Sequence, residues 1–342
     1  MKTTIKDVAN KCGVSVSTVS MALSERPNRI SEKTRNRIHT VADEMNYRPN
    51  LAAVSLVKKK SPSIGIVIND LRNTHISSLY MAINREIQKI GCALICHVYS
   101  EENVKVKELL DQLAAENVSV IVWAKSLDLG EKQENNLIRE RLEHMGVPVI
   151  TMDDYELSCA GTDVVFDYQK GAYLAVQNLI GNGHRRIGCL AGKKDYAVTL
   201  ERINGYKKAL TKNEIPWDEK LIYYGDYTLE SGYQALSYLM GQNVTAIFSF
   251  NDEMAFGVYR AARNYGIRIP DQLSIIGFDD VPFADVMEIP LSTIKVPSEE
   301  MGRCIGEEIN RWLNTEVAER RIQKYQPALL IRSSVAQYKQ NI

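Results

Sequence analysis

The chain of 342 residues is 45% hydrophobic and 25% charged, too long for one ordinary domain and balanced like a soluble globular protein of two or three. Its 42 basic and 42 acidic side chains cancel, yet residues 1–60 hold twelve Lys and Arg against five Asp and Glu, and the remainder holds 30 against 37. A basic amino-terminal module on an acidic body confines contact with a polyanion to the first part, unless that charge is only a solvated face. No long apolar run occurs and the first residues, MKTTIKDVANK, are polar, so neither a signal peptide nor a membrane span is expected.

From the amino terminus, Ile5, Val8, Ala9 and Cys12 recur at i, i+3, i+4 and i+7, the stripe of a short amphipathic helix. Gly13 supplies a left-handed residue to end it, and Ser15 stands at the N-cap of a second helix running from Val16 to Leu23. Val19, Ala22 and Leu23 are its inward candidates, which leaves Val16, Ser17, Ser20 and Met21 pointing away. Two helices joined by a Gly-containing turn form a helix-turn-helix, whose second helix enters a DNA major groove; an ordinary helical hairpin shares the pattern. A third helix, capped at Ser31 with Ile38, Val41, Ala42 and Met45 at helical spacing, closes a three-helix module with Tyr47 at its end. Arg29, Lys33, Arg35 and Arg37 can reach phosphates, contacts that add affinity without reading sequence.

The residues Thr4-Ile5-Lys6-Asp7-Val8-Ala9, Gly13-Val14-Ser15, Ser17-Thr18-Val19-Ser20, Ile30-Ser31-Glu32-Lys33-Thr34-Arg35 and Asn46-Tyr47-Arg48-Pro49-Asn50 closely resemble the headpiece of the lac/gal repressor family, and the resemblance runs along essentially the whole chain. It implies an all-α helix-turn-helix headpiece over 1–48, a hinge helix and linker over 49–61, and an α/β periplasmic-binding-protein-like sensor of two doubly wound lobes over 62–340. Contacts to double-stranded operator DNA are implied for Thr4, Ser15, Val16, Ser17, Thr18, Ser20, Met21, Arg29, Ser31, Asn50, Ala53 and Leu56. The family usually has Arg where Met21 stands. Arg can take a guanine by two hydrogen bonds, whereas Met and Val16 offer only apolar contact, for instance to a thymine methyl, so an operator unlike the family consensus is expected. In PNLAAVSL (49–56), Leu56 matches the family's minor-groove wedge, while Val54 replaces a common Arg.

From Ser63 onward, strand-like runs alternate with helical stripes: 63–70, 92–100, 118–124 and 148–154, then a second series of TDVVFD, 185–192, 221–226, 245–250 and 273–280. Such alternation implies parallel sheets covered by helices, and two series imply two α/β lobes with a cleft between them. The six cysteines are scattered. Cys92 and Cys96 share one face of a strand and His97 the other, so buried thiols of a reducing cytoplasm are expected rather than a metal site.

For this body the family resemblance implies chain crossings near 160, 290 and 325, giving lobe one as 62–160 and 291–324 and lobe two as 161–290 and 325–340. Ligands of open α/β sheets bind where strands end. Polar strand ends here include Asn69, Asp70, Asp153, Asp154, Asn251, Asp252, Asp279 and Asp280, each equally open to service as a turn former or helix cap. The resemblance implies effector contacts from Arg202, Asp279, Asn251, Asp153 and Tyr227, and from Asn73 and His75 in a loop that departs from the family's Asn-Pro-aromatic-aromatic pattern; Val296 stands where a polar contact is sometimes found. Trp123, ending its strand, is a candidate platform or a core residue. Carboxylates, amides, one guanidinium and flat rings suit a sugar, while Arg202, Lys125, Lys193 and Lys194 leave a purine or sugar phosphate open, as well as a protein co-effector.

No nucleophile elbow, P-loop or zinc-protease motif is present, and the adjacent acids of Asp153-Asp154 and Asp279-Asp280 point to opposite faces, so neither an enzyme nor a cofactor is expected. The resemblance implies a cytoplasmic, ligand-responsive repressor that binds a pseudo-palindromic operator as a homodimer, nucleoid-associated when bound. The alternative is a sugar-binding protein without a transcriptional role. No leucine-heptad helix follows the last strand, ALLIRSSVA, which favours a dimer over a tetramer.

Overall fold

The structure, a computed structural model, describes residues 3–23, 30–45, 47, 63–99, 106–124, 132–153, 161–314 and 319–338. Arg29, the hinge residues Asn50, Ala53 and Leu56, and Lys125, Asp154 and Cys159 lie outside the described residues. Residues 1–62 and 63–342 form two compact units.

In the first unit, helices α1 (Ile5–Cys12), α2 (Val16–Ala22) and α3 (Glu32–Glu44) each start on a polar side chain that answers a helix end. The Asp7 carboxylate accepts from the Thr4 N–H at 2.8 Å and the Thr4 hydroxyl at 2.6 Å. Ser15 Oγ accepts from the Thr18 N–H at 3.1 Å, and Ser31 Oγ from the Thr34 N–H at 3.3 Å. Caps of this kind contribute about 1 kcal/mol each. Gly13 ends α1 at φ 61°, and nothing stands within 4 Å of where a Cβ would sit, so conformation rather than space selects glycine there. The buried core is small: Val8, Ala9, Cys12, Val19, Ala22, Ile38 and Ala42, with Leu23 and Tyr47 packed at its margin.

In the second unit, strands β1 (Ser63–Ile68), β2 (Ala93–Val98), β3 (Val120–Ala124), β4 (Val149–Met152), β5 (Gly161–Phe166) and β11 (Arg321–Tyr325) form one sheet in the order β11-β5-β4-β3-β1-β2, every pairing parallel. Strands β6 (Ile187–Ala191), β7 (Ile222–Tyr224), β8 (Ala246–Ser249), β9 (Ser274–Asp279), β10 (Ser292–Lys295) and β12 (Ala328–Leu330) form the other, in the order β12-β10-β9-β8-β6-β7, with only β12 antiparallel. The helices between them are α4 (Thr74–Lys89), α5 (Val106–Glu116), α6 (Lys132–His144), α7 (Tyr168–Gly181), α8 (Ala197–Lys212), α9 (Leu229–Gly241), α10 (Asp252–Tyr265) and α11 (Ser298–Asn314).

Strand parity distributes the core. Ile64, Ile66, Ile68, Val120 and Val122 face Leu79, Ile83 and Ile87 of α4 and Met301, Ile305 and Ile309 of α11. Val67, Ile121, Trp123 and Val149 face Leu109, Leu110 and Leu113 of α5 and Ile138 and Leu142 of α6. Strands buried on both faces read as unbroken apolar runs, as these do. Adjacent residues of β9 do the same for the other sheet: Phe278 packs under α7 at Gly171, and Gly277 lies under Asp252 of α10.

The sheet pairing moves two expected crossings. The strand series places TDVVFD in the second lobe, but β5 pairs with β4, so the first crossing follows Phe166 rather than 160. Likewise β10 pairs with β9, so the second follows Lys295 rather than 290. Both boundaries fall about one strand later because β5 and β10 are the last strands added to their sheets before the chain leaves. The third crossing, between β11 and β12, falls at 326–327. Cys96 lies on the α4 side of β2, while His97 Nε2 meets Glu116 of α5 at 2.9 Å.

Candidate functional site

The first candidate face is α2. Val16 and Met21 are 40% and 45% exposed, Ser17 and Ser20 are exposed beside them, and Val19 and Ala22 are buried. Ser15 Oγ lies 2.7 Å from Ser17 Oγ and 2.8 Å from Thr18 Oγ1, so three hydroxyls cluster at the amino end of the helix. Thr4 and Ser31, exposed, hold the first turns of α1 and α3. Helix N-termini and hydroxyls of this kind suit phosphate oxygens.

The second is a cleft of about 920 Å³ at the carboxyl ends of both sheets. Asn69 and Asp70 follow β1, Ala124 ends β3, and Asp153 follows β4; across from them Lys193 follows β6, Tyr227 follows β7 and Asp279 ends β9. Asp153, Tyr227 and Asp279 hold φ of 54°, 70° and 112°, left-handed values uncommon for residues with side chains and frequent at ligand sites.

Arg202, on α8, organises the cleft. It is 5% exposed, its guanidinium carbon 4.1 Å from the Phe278 ring centre and 4.8 Å from that of Tyr168. Nη1 donates to the Phe250 carbonyl, and Nη2 lies 3.6 Å from Asp279 Oδ1. Arg202 Nε and Asp279 Oδ1 are buried without a hydrogen-bond partner, as is Asn69 Oδ1. Polar atoms buried without partners cost free energy, and the three residues that carry them, Asn69, Arg202 and Asp279, all line this cleft.

The electrostatics follow from burial around this one cation. Burial raises Asp279 well above the ordinary carboxylate value, opposed by Arg202. Asp153 is pushed up to about 6 by burial, with the Tyr168 hydroxyl, the Phe166 N–H and Arg202 pulling it back. The two hydrogen bonds are 2.6 Å from Tyr168 and 2.8 Å from Phe166. Glu201 rises to about 7 through burial and the nearby Asp153 and Asp167 carboxylates. His75 falls to about 4 through burial and the Arg202 charge, and its Nδ1 lies 3.0 Å from Ser298 Oγ.

Asn73, His75, Asp153, Arg202, Tyr227 and Asp279 come together as lining residues. Asn73 Oδ1 also caps α4 through the Ile76 N–H at 3.2 Å. The Tyr227 hydroxyl is 2.7 Å from Thr199 Oγ1, and a Cβ on Gly192 would stand 2.0 Å from the Tyr227 ring, so glycine makes room for it.

Two expected contacts are corrected. Trp123 is fully buried against α5 and α6; strand parity turns it away, and the next residue, Ala124, lines the cleft instead. Asn251 spends its amide internally: Oδ1 accepts from the Met254 N–H at 3.0 Å and Nδ2 donates to the Tyr227 carbonyl at 2.9 Å. It supports Tyr227 rather than lining the cavity. Val296 is buried, Lys194 stacks over Tyr224, and Asp280 pairs with Arg332 at 2.7 Å, pointing away from Asp279. Asp252 accepts from Thr293 Oγ1 and the Val281 N–H and holds the sheet. Tyr168 and Glu253 line the cleft without having been anticipated. Tyr168, two residues past a strand end, carried the positional signal; Glu253 carried none that pairs it across the cleft.

Residues 4–50 match the lacI family of bacterial regulatory proteins, and residues 176–335 match a periplasmic binding protein-like domain. The HTH-type transcriptional repressor PurR of Vibrio atlanticus is 32% identical over 335 residues, covering 97% of this chain and 98% of that protein. The lac repressor dimer bound to operator and the anti-inducer ONPF superimposes with a TM-score of 0.84 at 26% identity, over 98% of this chain and 100% of that one. A LacI family transcriptional regulator of Enterococcus faecium with bound ribose gives 0.73 at 26% identity, over 81% and 100%.

Proposed function

This chain belongs to the lacI family of bacterial regulatory proteins, as a ligand-responsive transcriptional repressor, and on that premise we propose that a neutral, polyhydroxylated effector, a sugar, binds the Arg202 cleft. One observation carries this reading: Arg202 and Asp279, a buried donor and acceptor, both line the cleft, and Arg202 Nε and Asp279 Oδ1 have no hydrogen-bond partner. Vicinal hydroxyls each donate and accept, so a diol answers both atoms without bringing a net charge. The surrounding lining is rich in acid, with Asp70, Asp153, Asp226 and Glu253 against Arg72 and Lys193, and Asp70 already holds Arg72 at 2.8 Å. A phosphate would meet more carboxylates than cations there. The sugar-bound Enterococcus faecium regulator supports the same class.

The headpiece of this reading inserts α2 into the major groove, with Ser15, Ser17, Thr18 and Ser20 on backbone and base edges and Val16 and Met21 against apolar base surface. Two copies read a pseudo-palindromic operator in the cytoplasm, and the hinge 49–61 joins headpiece to sensor. No helix among the described residues is long and apolar enough to cross a membrane. Effector binding shifts the lobes between arrangements in proportion to its differential affinity for them.

The test is calorimetric titration of the purified chain with neutral sugars, sugar phosphates and purines. Heat from a neutral sugar that is lost in Arg202→Ala supports the reading. Binding restricted to phosphorylated compounds or purines overturns the sugar and keeps the regulator.

A further inference from the structure

The three segments that join the lobes leave from strands gathered at one edge of each sheet: β5 and β11 in the first, β10 and β12 in the second. The hinge is therefore on that side. Away from it, α4 follows β1, three places from β5, and α10 follows β8, two places from β10. Between the starts of these two helices the cleft is bridged. Glu253 Oε1, on the second lobe, accepts from the Thr74 N–H at 2.8 Å and from Thr74 Oγ1 at 2.9 Å, on the first.

Thr74 is the first residue of α4, so its N–H has no carbonyl partner within its own helix. The neighbouring bonds of that turn are local, Ile76 to Asn73 Oδ1 and Ser77 to the Asn73 carbonyl. A carboxylate at a helix N-terminus is also favoured by the helix dipole. Opening the cleft would return the Thr74 N–H and the Glu253 carboxylate to water and forfeit two charge-assisted bonds at the end of a lever arm.

We infer that Glu253 is a positioning residue for effector binding: by clasping Thr74 across the cleft mouth it holds the lobes closed before effector arrives. The inference rests on the cleft being the effector site, and it adds how that site is set. An effector that touches both lobes is bound by the closed form, so its apparent affinity scales with the fraction closed. Loss of the clasp lowers that fraction while leaving every residue of the Arg202 cluster in place.

Hydrogen–deuterium exchange of the full chain without effector, read at the Thr74 amide by fragmentation mass spectrometry, tests it. The Thr74 amide exchanges about tenfold faster in Glu253→Ala than in the wild type. Glu253→Gln, which keeps an acceptor oxygen at the same reach, restores most of the protection, and Glu253→Asp, one methylene shorter, does not. Peptides lining the mouth from both lobes, 69–73 and 226–229, exchange faster with the loss, while the interior of α4 is unchanged. Equal Thr74 exchange in wild type and Glu253→Ala overturns the clasp. Faster exchange confined to α10 and its sheet reduces Glu253 to a local structural residue and overturns the inference equally. Because no effector is present, failure of the sugar reading leaves this result untouched.

Discussion

On α2 Val16 and Met21 are 40% and 45% exposed and stand on a helix of seven residues over a small core. In the cleft, Arg202 and Asp279 are 5% and 6% exposed, gathered from α8 and β9 into a cavity whose walls come from both sheets. An exposed reading face is separable from folding, since its side chains are solvated in the free protein and exchange water for a partner. A buried charged site is not separable: the same desolvation that sharpens its interactions makes each member a condition of the lobe's stability. Sequence change at the first redirects binding, whereas at the second it is filtered through folding.

Arg202→Met should separate the two regions most sharply. It leaves Asp279 buried beside no cation, and the sensor should lose about 3 kcal/mol against urea, with effector binding abolished. DNA binding by the headpiece should survive at temperatures where the sensor stays folded. A sensor of unchanged stability would show that Arg202 is not the electrostatic centre of the cleft.

Met21→Arg tests the opposite regime. Selection of bound sequences from random duplexes should shift one base pair per half-site toward guanine, by roughly tenfold in preference, because Arg reaches the two acceptors of that base. Thermal stability should not change. A drop in stability, or no change in base preference, would mean that α2 is not a free reading face.

Ser15→Ala falls between these extremes. It removes the Thr18 N–H acceptor and two hydroxyl contacts, and should cost about 1 kcal/mol of headpiece stability together with a loss of DNA affinity common to all sequences. Differential scanning calorimetry and salt-dependent DNA binding read the two effects.

A further effect is one of pH. His75 titrates near 4 in the folded cleft against an ordinary 6.5, so the unfolded chain binds the proton first. Its contribution is present above 6.5 and is lost as pH falls toward 4. Asp153, raised from 3.8 to about 6, runs the other way, its contribution present below 3.8 and lost as pH rises through 6. In His75→Gln the first slope disappears, so lowering the pH from 6.5 to 4 should shift the urea midpoint more favourably than it does in the wild type.

The headpiece was legible because its determinants are local. Ile5, Val8, Ala9 and Cys12 lie within two helical turns, Gly13 and Ser15 punctuate them, and capping needs a partner only three residues away. The alternation of strands and helices also declared two α/β lobes, because buried parallel strands require continuous apolar runs. Strand-end position and family resemblance together brought Asn73, His75, Asp153, Arg202, Tyr227 and Asp279 to one cleft. Trp123 failed on a parity of one residue: which face a strand side chain takes depends on sheet placement, and the apolar run VIVWA is the same on both. Asn251 failed because a strand-end amide serves a helix cap or a ligand equally well until its neighbours are placed.

By itself, then, the amino-acid order determined the elements, their caps, the two-lobed class and the positions where strands end, all consequences of short-range sterics, hydrogen bonding and hydrophobic period. Tertiary structure alone decided that β5 and β10 join their sheets before the chain crosses, that Tyr168 and Phe278 flank Arg202, and that Glu253 meets Thr74 across 179 positions of sequence. Those outcomes depend on strand order and lobe closure, which bring distant residues within bonding range and leave no periodicity in the chain to announce it.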